Sequence, residues 1–260
     1  MIKLLKYTVL DLLRSRWSFV YLGFYLILSS VLLFLNSDLS NAIITLMNVI
    51  IILTPLIGTL FGIMYYYNAQ EFTALLLSQP IKRSKIFLGQ YLGVTLSLSA
   101  SLIIGLSIPF VFYGLFGSSI IMDFIMLVTS GTFLTFIFSG FAIWIGLSNH
   151  NKIKGFGYAI LIWLFFALIF DALLLMLLVY FNDYPIESFA LIASMTNPID
   201  LSRILVLLKL EISALMGYTG AIFQRFFGTG LGIFCALLVN FIWTLLPIAG
   251  ILYKVRKRDF

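Results

Sequence analysis

Long apolar runs, divided by short polar stretches, set the pattern of this chain. One run occupies about 18–36, between Arg16 and Asp38, and a second about 42–67, before Glu71. A third, about 86–113, follows Lys85 and ends at the linker GLFGSS. A fourth, about 123–147, stops short of Lys152. The fifth, about 156–181, carries a single acid, Asp171. The sixth, about 230–253, closes at Lys254. About 20 mostly apolar residues suffice for a helix to cross a hydrocarbon layer of about 30 Å. A helix also satisfies its own backbone hydrogen bonds in lipid. The pattern therefore predicts an all-α, polytopic membrane protein with six transmembrane helices, forming one domain over 1–260.

Three segments between or before these runs have a different periodicity. Residues 2–14 place Ile2, Leu5, Val9, Leu12 and Leu13 on one helical face, with Lys3, Lys6, Asp11 and Arg14 largely elsewhere. That suits a helix lying in the membrane interface, or an extension of the first span. Residues 71–77 read as a short amphipathic helix with Phe72, Leu75 and Leu76 on one side, stopped by Pro80 and followed by Lys82, Arg83 and Lys85. Its apolar side either packs on a partner or lies on the bilayer. The segment 182–229 holds Leu201, Ile204, Leu205, Leu208, Ile212 and Leu215 at helical spacing, with Arg203, Lys209 and Glu211 among the other positions. It predicts an amphipathic helix of about five turns, too charged to span, with Asp200 in its first turn. This helix rests on the outer membrane surface, caps the spans or meets a partner protein.

Composition supports the membrane reading. The chain is 62% hydrophobic and 10% charged, whereas a soluble domain carries roughly a quarter charged residues. The formal net charge of +6 is a question of placement. Thirteen of the sixteen Lys and Arg residues fall before span one, between spans two and three, between spans four and five, or after span six. Basic residues mark the cytoplasmic side, so both termini are expected there. Dispersal over four short segments argues against a nucleic-acid-binding surface. The N-terminus lacks the short apolar core and cleavage site of a signal peptide, and retention is expected.

Candidate chemistry is sparse. Cys235 and His150 are single, so no Cys- or His-based metal motif exists. No GxxxxGK[ST] loop is present, and ATP hydrolysis by that route is excluded. No HExxH occurs, and His150 lies at a span boundary, which argues against an intramembrane protease. Asp171 is the one acid well inside a span, where a charge costs about 2.5–3.5 kcal/mol. No basic residue lies within a span, so its expected neighbours are hydroxyls, amides, carbonyls or water. It lines a translocation path or bonds a neighbouring helix. Gly89 and Gly93 form a small-xxx-small pair suited to close helix packing. Pro55, Pro109 and Pro247 fall inside spans two, three and six.

The stretch QEFTALLLSQPIKRSKIFLGQYLG, Gln70 to Gly93, resembles the segment between spans two and three of type 2 ABC exporter permeases. Glu71, Thr73, Leu75, Pro80, Arg83, Gly89 and Gly93 carry the match. Phe72 stands near that family's usual glycine, and Gln90 replaces its lysine after Gly89. The resemblance implies that the short helix is a coupling helix docking into a separate ATPase subunit through Glu71, Phe72, Leu75, Leu76, Pro80 and Arg83. It implies a homodimer of permeases with two ATPase copies, which use ATP and Mg while this chain binds no cofactor. A narrower resemblance lies in Trp163–Leu175 and Asn197–Gly228, through Asp171, Asn197, Pro198, Asp200, Arg203 and the stretch Gly217 to Gly220. It is to permeases serving the maturation of nitrous oxide reductase. That implies a bacterial inner-membrane location, a periplasmic partner on the outside helix, and a copper or sulfur species as cargo.

Overall fold

The computed structural model describes Thr8, Leu12 and residues 16–36, 38–118, 120–181, 187–209 and 230–257. Among these residues there is no strand. Span one is α1 (Arg16–Leu35) and span two α2 (Leu39–Asn68). The short α3 (Gln70–Leu77) leads to span three, α4 (Arg83–Phe112), and then to span four, α5 (Ile121–Ser148). Span five is one rod in three parts: α6 (Lys152–Leu164), a wide π-helical turn (Phe165–Ile169) and α7 (Phe170–Tyr180). After it come α8 (Glu187–Met195) and α9 (Pro198–Lys209), and then span six, α10 (Gly230–Lys257). Six of these rods are long and apolar enough to cross a membrane. Their bounds agree with the hydropathy runs to within a few residues. The last turn of α10 extends past the apolar run because Lys254, Arg256 and Lys257 suit a helix C-terminus.

Small residues set how closely the spans pack, as is usual where lipid removes the hydrophobic drive between helices. The longest seam joins α2 to α5. There a Cβ on Gly62 would sit 2.9 Å from the Cβ of Ala142 and 3.0 Å from the carbonyl oxygen of Ser139. These are a helix backbone and its first side-chain atom, so neither gives way cheaply. Gly62→Val is expected to cost about 1–3 kcal/mol by overpacking, read as a lower melting temperature of the solubilised protein. Gly140 on α5 similarly receives Pro247 of α10, and Gly105 on α4 receives Tyr25 of α1. Gly93 lies against Thr8, which is buried. Leu12 packs partly buried on the core. The rest of the interfacial helix expected over 2–14 lies outside the described residues.

Spans one to four and span six surround a common core. Span five stands at the edge. Among its described side chains only Gly155, Ala159 and Ala167 are buried.

The largest departure from the expected layout concerns the stretch before span six. Met195 accepts a hydrogen bond at its carbonyl from Trp243 Nε1 at 3.1 Å, and Asn197 Nδ2 donates to the carbonyl of Phe166 at 2.9 Å. Trp243 is halfway along α10, and Phe166 halfway along span five. The turn between α8 and α9 therefore lies at mid-depth of the bundle. At 1.5 Å per residue, α8 is about 14 Å long and α9 about 18 Å, each roughly half of a 30 Å layer. The pair is a re-entrant hairpin. Apolar periodicity locates α9 but not its surroundings. Of the three expected settings, outer surface, spans or partner, it is the spans that receive this face: Leu201, Ile204 and Leu205 are buried against Ala236 of α10. The helix begins at Pro198, with Asp200 in its first turn as expected, and is described to Lys209. Glu211 and the remainder of the expected five turns lie outside the described residues, as do Gly217 and Gly220.

Candidate functional site

Two places gather the sequence-marked residues. The first is α3, at the end of the bundle that carries the basic loops. Pro80 lies in the turn that stops it, and Lys82 directly precedes the following α4, which opens at Arg83. The helix has two sides. Thr73 and Leu76 are buried against the bundle and Phe72 is half-buried. Glu71 and Leu75 face outward, Leu75 being 68% exposed. The single apolar side expected for Phe72, Leu75 and Leu76 is thus split. Phe72 and Leu76, four residues apart, share the inner face, while Leu75 lies one helical step (100°) from Leu76 and points away.

Two attachments hold α3, and a third ties the end of α2 beside it. Only Ala69 separates it from α2. Gln90 Nε2, buried in α4, donates to Thr73 Oγ1 at 2.7 Å. At the end of α2, the Tyr67 hydroxyl donates to the carbonyls of Asn149 and Asn151 at 3.0 and 3.2 Å. Asn151 in turn caps α6 through Ile153 N at 2.9 Å. Contacts thus run from α3 to spans two and three, and from the end of span two through Tyr67 to the start of span five. Gln90 and Tyr67 escaped the sequence reading because a polar residue inside an apolar run says nothing of its partner. The departure at Gln90 was visible, but its bond to Thr73 was not.

The second place is the hairpin turn. Asp171 opens α7 just past the π-helical turn, where the hydrogen-bond ladder shifts register and Phe166 offers its carbonyl to Asn197. The expectation that Asp171 has no cationic neighbour is overturned. Arg203 Nη1 lies 2.9 Å from Asp171 Oδ2 and 3.1 Å from Asp200 Oδ1. Asn197 Nδ2 also points to both acids, at 3.4 Å to Asp171 Oδ1 and 3.1 Å to Asp200 Oδ2. Its own Oδ1 accepts from Ile199 N at 3.0 Å, fixing the start of α9. Span counting assigns Arg203 to the outside because α9 is too charged and too short to cross. The re-entrant path brings it back within the depth of the bundle, beside Asp171 in the outer half of span five. Asp200 and Arg203 thus turn inward onto span five instead of forming an outer contact surface. Lys209 ends α9, beyond this cluster.

Among the described residues no group of three or more His, Cys, Asp or Glu could hold a metal ion. A groove of about 420 Å³ runs between the inner halves of spans four and five, lined mainly by Trp144, Tyr158, Leu161, Ile162 and Phe165.

Six apolar rods, with a short helix between the second and third, define a multi-pass membrane protein. No family model matches the chain. It is 28% identical over 221 residues to the "Probable ABC transporter permease protein NosY" of Stutzerimonas stutzeri, covering 77% of this chain and 79% of that protein. This similarity supports a transmembrane permease subunit of an ABC transporter, of the NosY type.

Proposed function

We propose that this chain is the permease half of an ABC exporter that supports copper-site maturation in nitrous oxide reductase by exporting a copper or sulfur species. The observation that carries the permease reading is α3. It is a helix of eight residues, tied to span three by Gln90–Thr73 and joined to span two through Ala69, with Glu71 and Leu75 directed outward. A short helix anchored in the bundle, with Leu75 and Glu71 on its free side, suits docking into a separate ATPase. That partner, NosF-like, binds and hydrolyses ATP with Mg, and this chain needs no cofactor of its own. Two permeases form a homodimer over two ATPases in the bacterial inner membrane, with both termini cytoplasmic, a reading the placement of the basic loops supports. A NosD-like periplasmic protein contacts the outer end, where the hairpin emerges. The resemblance in Trp163–Leu175 and Asn197–Gly228, together with the similarity to NosY, supports the narrower part of this reading.

Co-expression with the neighbouring genes and purification in mild detergent is expected to recover an ATPase subunit in equal amount. Deletion of the gene is expected to leave nitrous oxide reductase without its tetranuclear copper–sulfur site. Recovery without any ATPase would refute the permease reading in favour of a scaffold that moves no cargo. A complete copper site in the deletion strain, with the ATPase still bound, would instead point to another cargo, such as a lipid, drug, peptide or ion.

A further inference from the structure

We propose that the cluster of Asp171, Asn197, Asp200 and Arg203 binds one proton, held on Asp200, so that it is electrically neutral while the hairpin is docked on span five. The geometry comes first. Two carboxyl groups straddle one guanidinium nitrogen, at 2.9 and 3.1 Å, and one amide nitrogen, at 3.4 and 3.1 Å. The shared donors bring the two carboxyl groups to one place. With both acids ionised and one cation between them, the cluster would carry a net charge of −1. Such a charge within the depth of the spans is costly, and two carboxylates sharing one site do not both ionise readily.

The helices packed against α9 supply no compensating charge at this depth. On α2, Asp38 caps the start and the tyrosines Tyr65–Tyr67 lie at the far end. On α5 the acid is Asp123, in the first turn. On α10 the basic residues occupy the last turns, and the Cys235 thiol is exposed. Glu187 stands at the start of α8, a full helix away from the turn. Among the described residues no other charge balances the second carboxylate, and a proton does. Asp171 takes the shorter bond to Arg203 and its side chain is 24% exposed, against 9% for Asp200. The more enclosed carboxyl keeps the proton, and its O–H donates toward the Asp171 carboxylate.

The site links two elements of different attachment. Asp171 belongs to span five, whose outer wall is largely exposed, while Asn197, Asp200 and Arg203 belong to the hairpin. When the hairpin leaves span five, Asp200 meets water and passes its proton to the solvent. When it docks, one proton returns. The docked state binds the extra proton, so docking strengthens as pH falls and weakens as pH rises, by up to tenfold per pH unit for one proton.

The test uses the full chain in lipid nanodiscs at neutral pH. Infrared spectra are expected to show the C=O stretch of a protonated carboxyl in the wild type, lost in Asp200→Asn and retained in Asp38→Asn. The wild-type melting temperature should fall from mildly acidic to alkaline pH, while Asp200→Asn, with a neutral amide in place of the acid, should stay flat. Should Asp200→Asn fail to fold, Asp171→Asn serves. It leaves one acid for one guanidinium, needs no proton, and should lose both the band and the slope. A wild-type spectrum without the band, or a band and slope that persist in whichever variant folds, would overturn the proposal. None of these readouts requires the ATPase, so the outcome is independent of the permease reading.

Discussion

Arg203→Leu is expected to destabilise the protein by about 3 kcal/mol and to sharply reduce the amount recovered folded from the membrane. The substitution removes the one cation of the hairpin cluster, within hydrogen-bonding distance of Asp171 and Asp200. Breaking a buried ion pair by deleting one partner costs about 3–5 kcal/mol, because the other charge is left uncompensated. The side chains of Arg203 and Asp171 are 30% and 24% exposed, which places the effect at the lower end of that range. The cost of one charge at the centre of a membrane helix is of similar size, about 2.5–3.5 kcal/mol. The double change Asp171→Asn with Arg203→Leu removes both members of the pair and leaves Asp200 free to remain neutral. It should recover most of the loss, as apolar replacement of a whole ion pair usually does. Melting temperatures of the wild type, both single variants and the double variant in one detergent complete the cycle. A double variant no more stable than Arg203→Leu would mean that Arg203 acts through packing of its alkyl stem and not through its charge.

The contrast between the six spans and this cluster shows which features a sequence exposes. Spans are written in one dimension, since 20 apolar residues between charges have few other fates. The short α3 was also legible, because Pro80 bounds it on one side and its apolar residues recur at helical spacing. The hairpin was half legible. Leu201, Ile204 and Leu205 mark a helix, but periodicity does not distinguish a helix face on a membrane surface from one packed on Ala236. Its depth depends on two hydrogen bonds, Asn197 to Phe166 and Trp243 to Met195, between residues 31 and 48 positions apart. For the same reason Asp171 looked solitary. Its partner Arg203 is 32 positions away, in a stretch that span counting sets outside. An acid inside a span and an arginine in the next polar helix are, in retrospect, the one available cue. A membrane-embedded charge demands a partner, and few candidates exist in a chain this poor in charge.

Leu75→Asp should separate ATPase docking from folding. Leu75 is 68% exposed on the outward side of α3, so a carboxylate there stays in water and costs the isolated permease less than about 0.5 kcal/mol. In a docked complex the same position is enclosed by the partner. Loss of an apolar anchor and burial of a charge at the centre of an interface cost about 2 kcal/mol or more, roughly thirtyfold in affinity. The variant is therefore expected in the membrane at wild-type level, with a wild-type melting temperature, yet without the ATPase on purification. Glu71→Lys on the same side should act in the same direction. Leu76→Asp provides the contrast. Leu76 is 8% exposed and packs inward, so that variant should lower the melting temperature before any partner is added. Loss of the ATPase in Leu76→Asp but not in Leu75→Asp would move the docking surface away from the outward face of α3. In that case the attachment of α3 to Gln90 and Thr73 would serve only to close the basic end of the bundle.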